Sequence, residues 1–340
     1  MFGTLRLILA CLVVMSHVEI YLKVPGFYWF SQGTAALVGF FLLSGYLMKL
    51  IFIQKYQNKL NNCGKFWIDR WLRIFPHYYL YLIIIILWIL LSHFSQLNWE
   101  MLPVLAHITV LPLNFVNLLQ LQMLKGWAYW ALIIPQAWTL ASEFQFYLIL
   151  PFLLRRRWLE IIALVISLGI FVMASFGILP TEAFGYRLLA GNLFIFITGS
   201  LIYDIRHSKN AKISKYVVST AWLGLVVLAI ILKISGNLQV PLNGPVIFGF
   251  LILVPIIWLL SGIKNRRNWD DFFSILSYGV FLNHYWLLWV LDWLNIYPQP
   301  NMIEKWIRFG IVIPISLLLS WISYSLIDKR ITQFRRLKRN

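Results

Sequence analysis

Acidic side chains are scarce in this sequence. Asp and Glu number 12 against 29 Lys and Arg, and charged residues make up only 12% of the 340. Too little polar surface exists to cover a soluble body of this length, which excludes an ordinary soluble domain. Cysteine is nearly absent as well. Cys11 lies inside an apolar run and Cys63 in a Lys-rich segment, with no CxxC or Cys/His spacing. A disulfide framework is thereby excluded, and no metal is expected. There is no internal repeat, low-complexity tract or folded basic domain, so the net charge of +17 does not speak for nucleic acid. No A-x-A-like cleavage site follows Met15, so the first apolar stretch reads as a retained helix rather than a signal peptide.

What is present is apolar: 61% of residues are hydrophobic and the mean hydropathy is +0.77. Runs long enough to cross a hydrocarbon core of about 30 Å occur at 5–22, 33–54, 74–92, 138–154, 158–178, 186–204, 214–232, 244–262, 271–294 and 304–327. The expected fold is an all-α integral membrane protein of about ten transmembrane helices. Basic residues set the orientation. With a cytoplasmic N-terminus, the inner loops receive Lys49, Lys55, Lys59, Lys65, Arg70, Arg73, the run 155–157, Arg206, Lys209, Lys212, Lys215, Lys264, Arg266 and Arg267. The outer loops keep only Lys23, Lys125, Arg187, Lys233, Lys305 and Arg308. That asymmetry places both termini in the cytoplasm. Residues 1–328 read as one membrane domain and 329–340 as a basic cytoplasmic tail. Residues 93–137 are apolar but broken by Pro103, Pro112 and Pro135 and rich in Trp, which predicts interfacial or re-entrant pieces on the outer side.

Against this background a few polar groups need a reason. In "RLILACLVVMSH" (6–17) an arginine and a histidine stand eleven residues apart, roughly 16 Å and close to three helical turns. Arg6 and His17 therefore share a face, one near the membrane surface and one near the midplane. A snorkelling arginine is ordinary, whereas an ionisable group at depth marks a relay or a site. In "DRWLRIFPHYYLY", Arg70 and Arg73 are i, i+3 neighbours. They read as two more inside charges or as a guanidinium clamp for a phosphate-bearing ligand. "WTLASEFQFYL" sets Glu143 within the membrane at a depth near that of His17, so the two are expected to pair and fix the imidazole. His284 in "SYGVFLNHYW" is a further candidate, as are Ser44 and Tyr147. Gly39, Ser44 and Gly45 in "GFFLLSGYL", with Ala35, have the spacing of close helix packing.

Taken in order, Arg-x10-His, "FFLLSGYL", "RWLRIFPHYY", "WTLASEFQFYLILPF" and "YGVFLNHYW" resemble the membrane-bound acyltransferase family 3, bacterial enzymes that O-acylate cell-envelope carbohydrates. The resemblance covers almost the whole chain. It implies an acyl-CoA donor, usually acetyl-CoA, bound from the cytoplasm, and a carbohydrate acceptor. It makes His17 the catalytic histidine, Arg6 its partner arginine, Arg70 and Arg73 the RxxR pair, and Glu143 the family's acid. It also implies residence in the inner membrane of a bacterium, among membrane lipids. Two departures stand out. Gly3 occupies a position where many members have aspartate, so that polar contact is expected to be missing or replaced. No SGNH-type domain follows the membrane part, so transfer is expected to be completed by that part or by a partner. Two rival readings use the same residues: a proton-coupled transporter or flippase of envelope precursors, and a catalytically silent scaffold.

Overall fold

A computed structural model describes residues 1–22, 33–125, 131–209, 211–263, 268–294 and 302–330. All regular elements among them are helical. Each of the ten predicted runs falls on a helix: α1 (Phe2–Leu22), α2 (Gly33–Tyr56), α3 (Cys63–Ser92), α6 (Trp138–Leu153), α7 (Arg157–Ser175), α8 (Leu189–His207), α9 (Ala211–Ile234), α10 (Asn243–Leu260), α11 (Asn268–Trp293) and α12 (Met302–Ser323). Between α3 and α6 lie two short helices, α4 (Met101–Thr109) and α5 (Val116–Leu119). The chain is an all-α, multi-pass membrane protein.

Among the described residues, eight helices are long and apolar enough to cross a membrane. The remaining two runs are α1 and the 16-residue α6, whose length is only about 24 Å. These two carry His17 and Glu143. Helices in lipid gain nothing from hiding apolar surface, so small residues that let backbones approach decide their pairing. Helix α2 is packed by α1, α8 and α10, and 72% of its apolar window is buried within the protein, against 28% for α9. A Cβ on Gly39 would stand 2.7 Å from a Leu9 methyl, and one on Gly249 2.7 Å from the Cα of Ala35. Gly45 and Gly199 meet the facing backbone carbonyls of Phe196 and Leu42 in the same way. The packing reading of Gly39, Gly45 and Ala35 therefore holds.

The stretch 93–137 forms no continuous span among its described residues. It runs through α4, a tight turn at Leu113–Phe115 and α5, then a single antiparallel bridge, Leu97 to Leu124. His107 ties these pieces to the start of α6: its Nε2 accepts from the Ile133 N–H at 3.2 Å while Nδ1 contacts the Pro103 carbonyl at 2.8 Å. Burial pushes this imidazole down to about 4, against a smaller upward effect of the Pro103 carbonyl. The tryptophans at 127 and 130, the basic residues Lys264, Arg266 and Arg267, and the tail 331–340 lie outside the described residues.

Two predicted loop charges are corrected. Lys49 is not in a loop but in α2, buried, with Nζ 2.8 Å from Glu160 and 2.6 Å from Asp204. Arg157 binds the same two carboxylates, and the Ser200 hydroxyl donates to Glu160 at 2.7 Å. Two cations and two anions thus neutralise one another where α2, α7 and α8 meet, which is the condition for burying charge at all. Arg308 is likewise inside α12, fully buried, and reaches Asp292 at 2.7 Å.

Candidate functional site

Polar groups from α1, α2, α3, α6 and α11 line two cavities that share Leu37, Thr139 and Phe281. The first gathers Arg6, Arg70, Arg73, Glu143 and Tyr147. The second contains His17. The eleven-residue spacing in α1 is what sends Arg6 to one and His17 to the other.

Positive charge dominates the first cavity. Arg6 comes from the first turns of α1, and its Nη1 reaches the Ser274 hydroxyl at 3.4 Å. Arg70 is buried, ion-paired to Asp69 beside it, and Asp69 also takes Lys55 at 3.1 Å. Arg73, one turn along α3, lines the same space. The i, i+3 pair does converge on one cavity, though Arg70 is already half-neutralised by Asp69. The Nε groups of Arg6 and Arg70 are buried with no hydrogen-bond partner among the described residues. Three arginines lining one cavity with a single carboxylate favour a negatively charged occupant.

Glu143 belongs to this cavity and not to His17. Its carboxylate accepts from the Ser44 hydroxyl of α2 and from Tyr147, one turn along α6. The two hydroxyls are 2.9 Å apart. Ser44, Glu143 and Tyr147, three separate candidates in the sequence, form one cluster in which both hydroxyls donate to the carboxylate. The expected pairing of Glu143 with His17 is therefore corrected. Similar depth in the membrane says nothing about which side of α2 a side chain reaches, and the tertiary packing sends them apart.

His17 pairs instead with His284. The His17 Nδ1 lies 2.8 Å from the His284 Nε2, and the rings are near-parallel at 6°. The His284 Nδ1 lies 2.9 Å from the Val280 carbonyl one turn back on α11. A carbonyl can only accept, so the His284 Nδ1 carries the proton and its Nε2 is the acceptor. His17 must then donate from Nδ1, which leaves a lone pair on its Nε2. A neutral imidazole holds the tautomer without adding negative charge. Tyr285 packs edge-on against the His17 ring at 5.1 Å.

The second cavity continues outward past His17 to groups that the sequence did not flag. Gln136 sits in the tight turn Pro135–Ala137 that leads into α6. Arg187 holds Glu182 at 3.0 and 2.7 Å across the π-helical turn Ala183–Arg187, and lies 4.9 Å over the Trp138 ring. Burial pushes the Glu182 carboxyl up, but the Asn117 hydrogen bond and the Arg187 charge outweigh it and leave the carboxyl below its ordinary value. The only sequence signal for this group was a polar residue flanked by apolar ones, "LIIPQAW", and an acid and a base five apart.

At the other end of α1, Asp270 of α11 accepts from the Gly3 and Thr4 N–H groups at 3.1 and 2.8 Å and from the Thr4 hydroxyl at 2.8 Å. It also pairs with the terminal amine at 2.8 Å. A carboxylate at a helix N-terminus satisfies donors that have no intrahelical acceptor. The contact expected to be missing at Gly3 is thus replaced from another helix. No group of His, Cys, Asp and Glu among the described residues could hold a metal ion.

Comparison with known proteins agrees with this architecture. The sequence model of the acyltransferase 3 family, described as an acyltransferase domain, matches residues 2–325. An uncharacterised protein of Aquifex aeolicus (strain VF5) is 30% identical over 213 residues, 61% of this chain and 90% of its own length. No solved structure matches.

Proposed function

This chain belongs to the acyltransferase 3 family, and we propose that it moves an acyl group, acetyl in the simplest case, from acyl-CoA to a hydroxyl of a cell-surface glycan or its lipid-linked precursor. The observation that carries the reading is the pair of neighbouring cavities that share Leu37, Thr139 and Phe281, one lined by three arginines and the other by an imidazole whose Nε2 bears the lone pair. CoA is polyanionic at one end and bears its thioester on a long flexible arm. Arg6, Arg70 and Arg73 hold the phosphates at the cytoplasmic end. The arm passes Leu37, Thr139 and Phe281, and the thioester carbonyl comes to rest beside His17.

The chemistry then follows from the tautomer. The His17 Nε2 takes the proton of the acceptor hydroxyl as its oxygen attacks the thioester carbon. His284, accepting at Nε2 from the His17 Nδ1–H, steadies the imidazolium so formed. As the new C–O bond completes, the C–S bond breaks and the proton passes from Nε2 to the departing sulfur. An ester and a free thiol result, and His17 is regenerated. The Ser44–Glu143–Tyr147 cluster offsets part of the arginine charge and shapes the passage. The site is that of the cytoplasmic membrane of a bacterium, with the arginine end inward. The rival transporter reading needs His17 and Glu143 in one proton relay, whereas they line different cavities.

Membrane vesicles carrying the protein, supplied with acetyl-labelled acetyl-CoA, test this. Label enters envelope glycan with the wild type, disappears with His17→Ala, and needs higher acetyl-CoA with Arg73→Ala. Label that ignores His17→Ala overturns the mechanism.

A further inference from the structure

Helix α11 carries His284 between two neighbouring helices, and polar contacts tie it to each. Toward α1 these contacts advance in step. Asp270 accepts from the Gly3 N–H at 3.1 Å, Ser274 meets Arg6 at 3.4 Å, and His284 meets His17 at 2.8 Å. The two helices therefore run parallel in one register. Toward α12 the contacts run in reverse order. A Cβ on Gly279 would stand 2.4 Å from the Ser320 Oγ, Asn283 bonds Ser316, and Asp292 pairs with Arg308 at 2.7 Å. That pair is antiparallel.

Asn283 lies at the centre of the α12 seam and is fully enclosed. Its Nδ2 donates to the Ser316 carbonyl and the Tyr81 hydroxyl, each at 3.1 Å, with the Ser320 Oγ at 3.4 Å. Its Oδ1 accepts from the Ser316 hydroxyl. Turning the amide over would press its oxygen against the Ser316 carbonyl, so chemistry sets the orientation. The bonds continue into α3. Ser323 spends its proton on the Ser320 carbonyl at 3.1 Å, so Tyr81 at 3.1 Å and the His77 Nε2 at 2.6 Å donate to the Ser323 Oγ. All of these side chains are buried. Apolar contact with lipid does not oppose rotation or sliding of a helix, so hydrogen bonds of this kind set both.

Asn283 and His284 are consecutive, about 100° apart around the helix. One faces α12 and α3, the other α1. A turn of α11 that breaks the first set of bonds misdirects the second. Resting on the acyl-transfer reading above, we propose that Asn283 is a positioning residue for that reaction: its hydrogen bonds to α12 and α3 hold α11 at the rotation that aims the His284 Nε2 at the His17 Nδ1–H. Asn283 touches no substrate. The tautomer of the base is then maintained from a seam on another face of the helix that carries its partner.

The test is a double-mutant cycle, read as labelled acetyl transfer in vesicles per folded protein. Asn283→Leu keeps the size and deletes the hydrogen bonds. It lowers kcat at least about twofold, and no further than His284→Ala does, with half-saturation by acetyl-CoA unchanged. In the His284→Ala background the same substitution costs nothing more, because no imidazole is left to aim. A merely structural role gives less folded protein at an unchanged rate per molecule, or the same loss in both backgrounds. Either result overturns the inference and leaves the acyl-transfer reading standing. Ser316→Ala, which removes only the hydroxyl at Oδ1, gives a smaller loss of the same pattern and serves if Asn283→Leu does not fold. Nitrogen NMR spectra of histidine-labelled protein read the tautomer without a transfer assay. His17 is protonated at Nδ1 in the wild type and divides between both tautomers in the variants; an unchanged tautomer there overturns the inference. Wild-type vesicles that transfer no label overturn the acyl-transfer reading, and this one with it.

Discussion

Replacing His284 by alanine removes the atom that accepts the Nδ1 proton of His17, and the cost follows from the geometry. The bond is 2.8 Å long and partly buried, with His284 fully enclosed. In the resting site it is a neutral hydrogen bond with a net worth of about 1 kcal/mol, and its loss lets the imidazole rotate and sample both tautomers. In the transition state the donor is becoming an imidazolium, and a hydrogen bond to a charged group is worth about 1.5–3 kcal/mol. The barrier therefore rises by the difference, about 0.5–2 kcal/mol, and each 1.4 kcal/mol is a factor of ten. His284→Ala is expected to lower kcat about 2- to 30-fold with half-saturation by acetyl-CoA unchanged. His284→Gln, which retains an acceptor oxygen, recovers part of the loss. Labelled acetyl transfer in vesicles, normalised to the amount of folded protein, reads both. The reasoning is refuted if His284→Ala stays within twofold of wild type while Glu143→Gln removes the rate. That outcome would return the orienting role to the carboxylate.

Two further outcomes follow from groups outside the cavities. Lys49→Met leaves Glu160 and Asp204 buried with Arg157 as their remaining cation from this cluster, so it should destabilise the protein by about 3–5 kcal/mol; thermal unfolding in detergent measures it, and an unchanged midpoint would show the network to be idle. His107, pushed down by burial to about 4 from 6.5, is neutral in the fold and accepts from Ile133. Its folded value is below its unfolded one, so the stability it contributes is complete above pH 6.5 and declines as pH falls toward 4. Hydrogen exchange over residues 101–125, corrected for intrinsic rate, should accelerate on going from pH 7 to pH 5 in the wild type and not in His107→Gln.

The two histidines illustrate why sequence reading went only part of the way. Position along one helix is a matter of rise and turn, and the Arg6–His17 spacing was enough to predict one face with two ends. Position across helices is not. His17, Glu143 and His284 could be placed at similar depths from their distances to the ends of their runs, yet depth alone leaves every pairing open. The packing of α1 against α11 brings His284 within 2.8 Å of His17, while α2 hands Ser44 to Glu143. The outer cavity was less legible still, because Gln136, Glu182 and Arg187 are ordinary residues in ordinary surroundings until a turn and a π-helical segment gather them.

Composition and periodicity by themselves determined the class, the membrane runs and the sharing of a face by Arg6 and His17, since hydrophobicity and helical geometry act locally along the chain. The packing role of Gly39 and Gly45 was readable for the same reason. Only the tertiary structure decided that Asp270 replaces the contact missing at Gly3, that Lys49 is buried in a neutral cluster, and that His17 is held by an imidazole rather than a carboxylate. Those outcomes depend on which helix faces meet, and lipid, being as apolar as the side chains it touches, leaves that choice to close packing and to polar groups seeking partners.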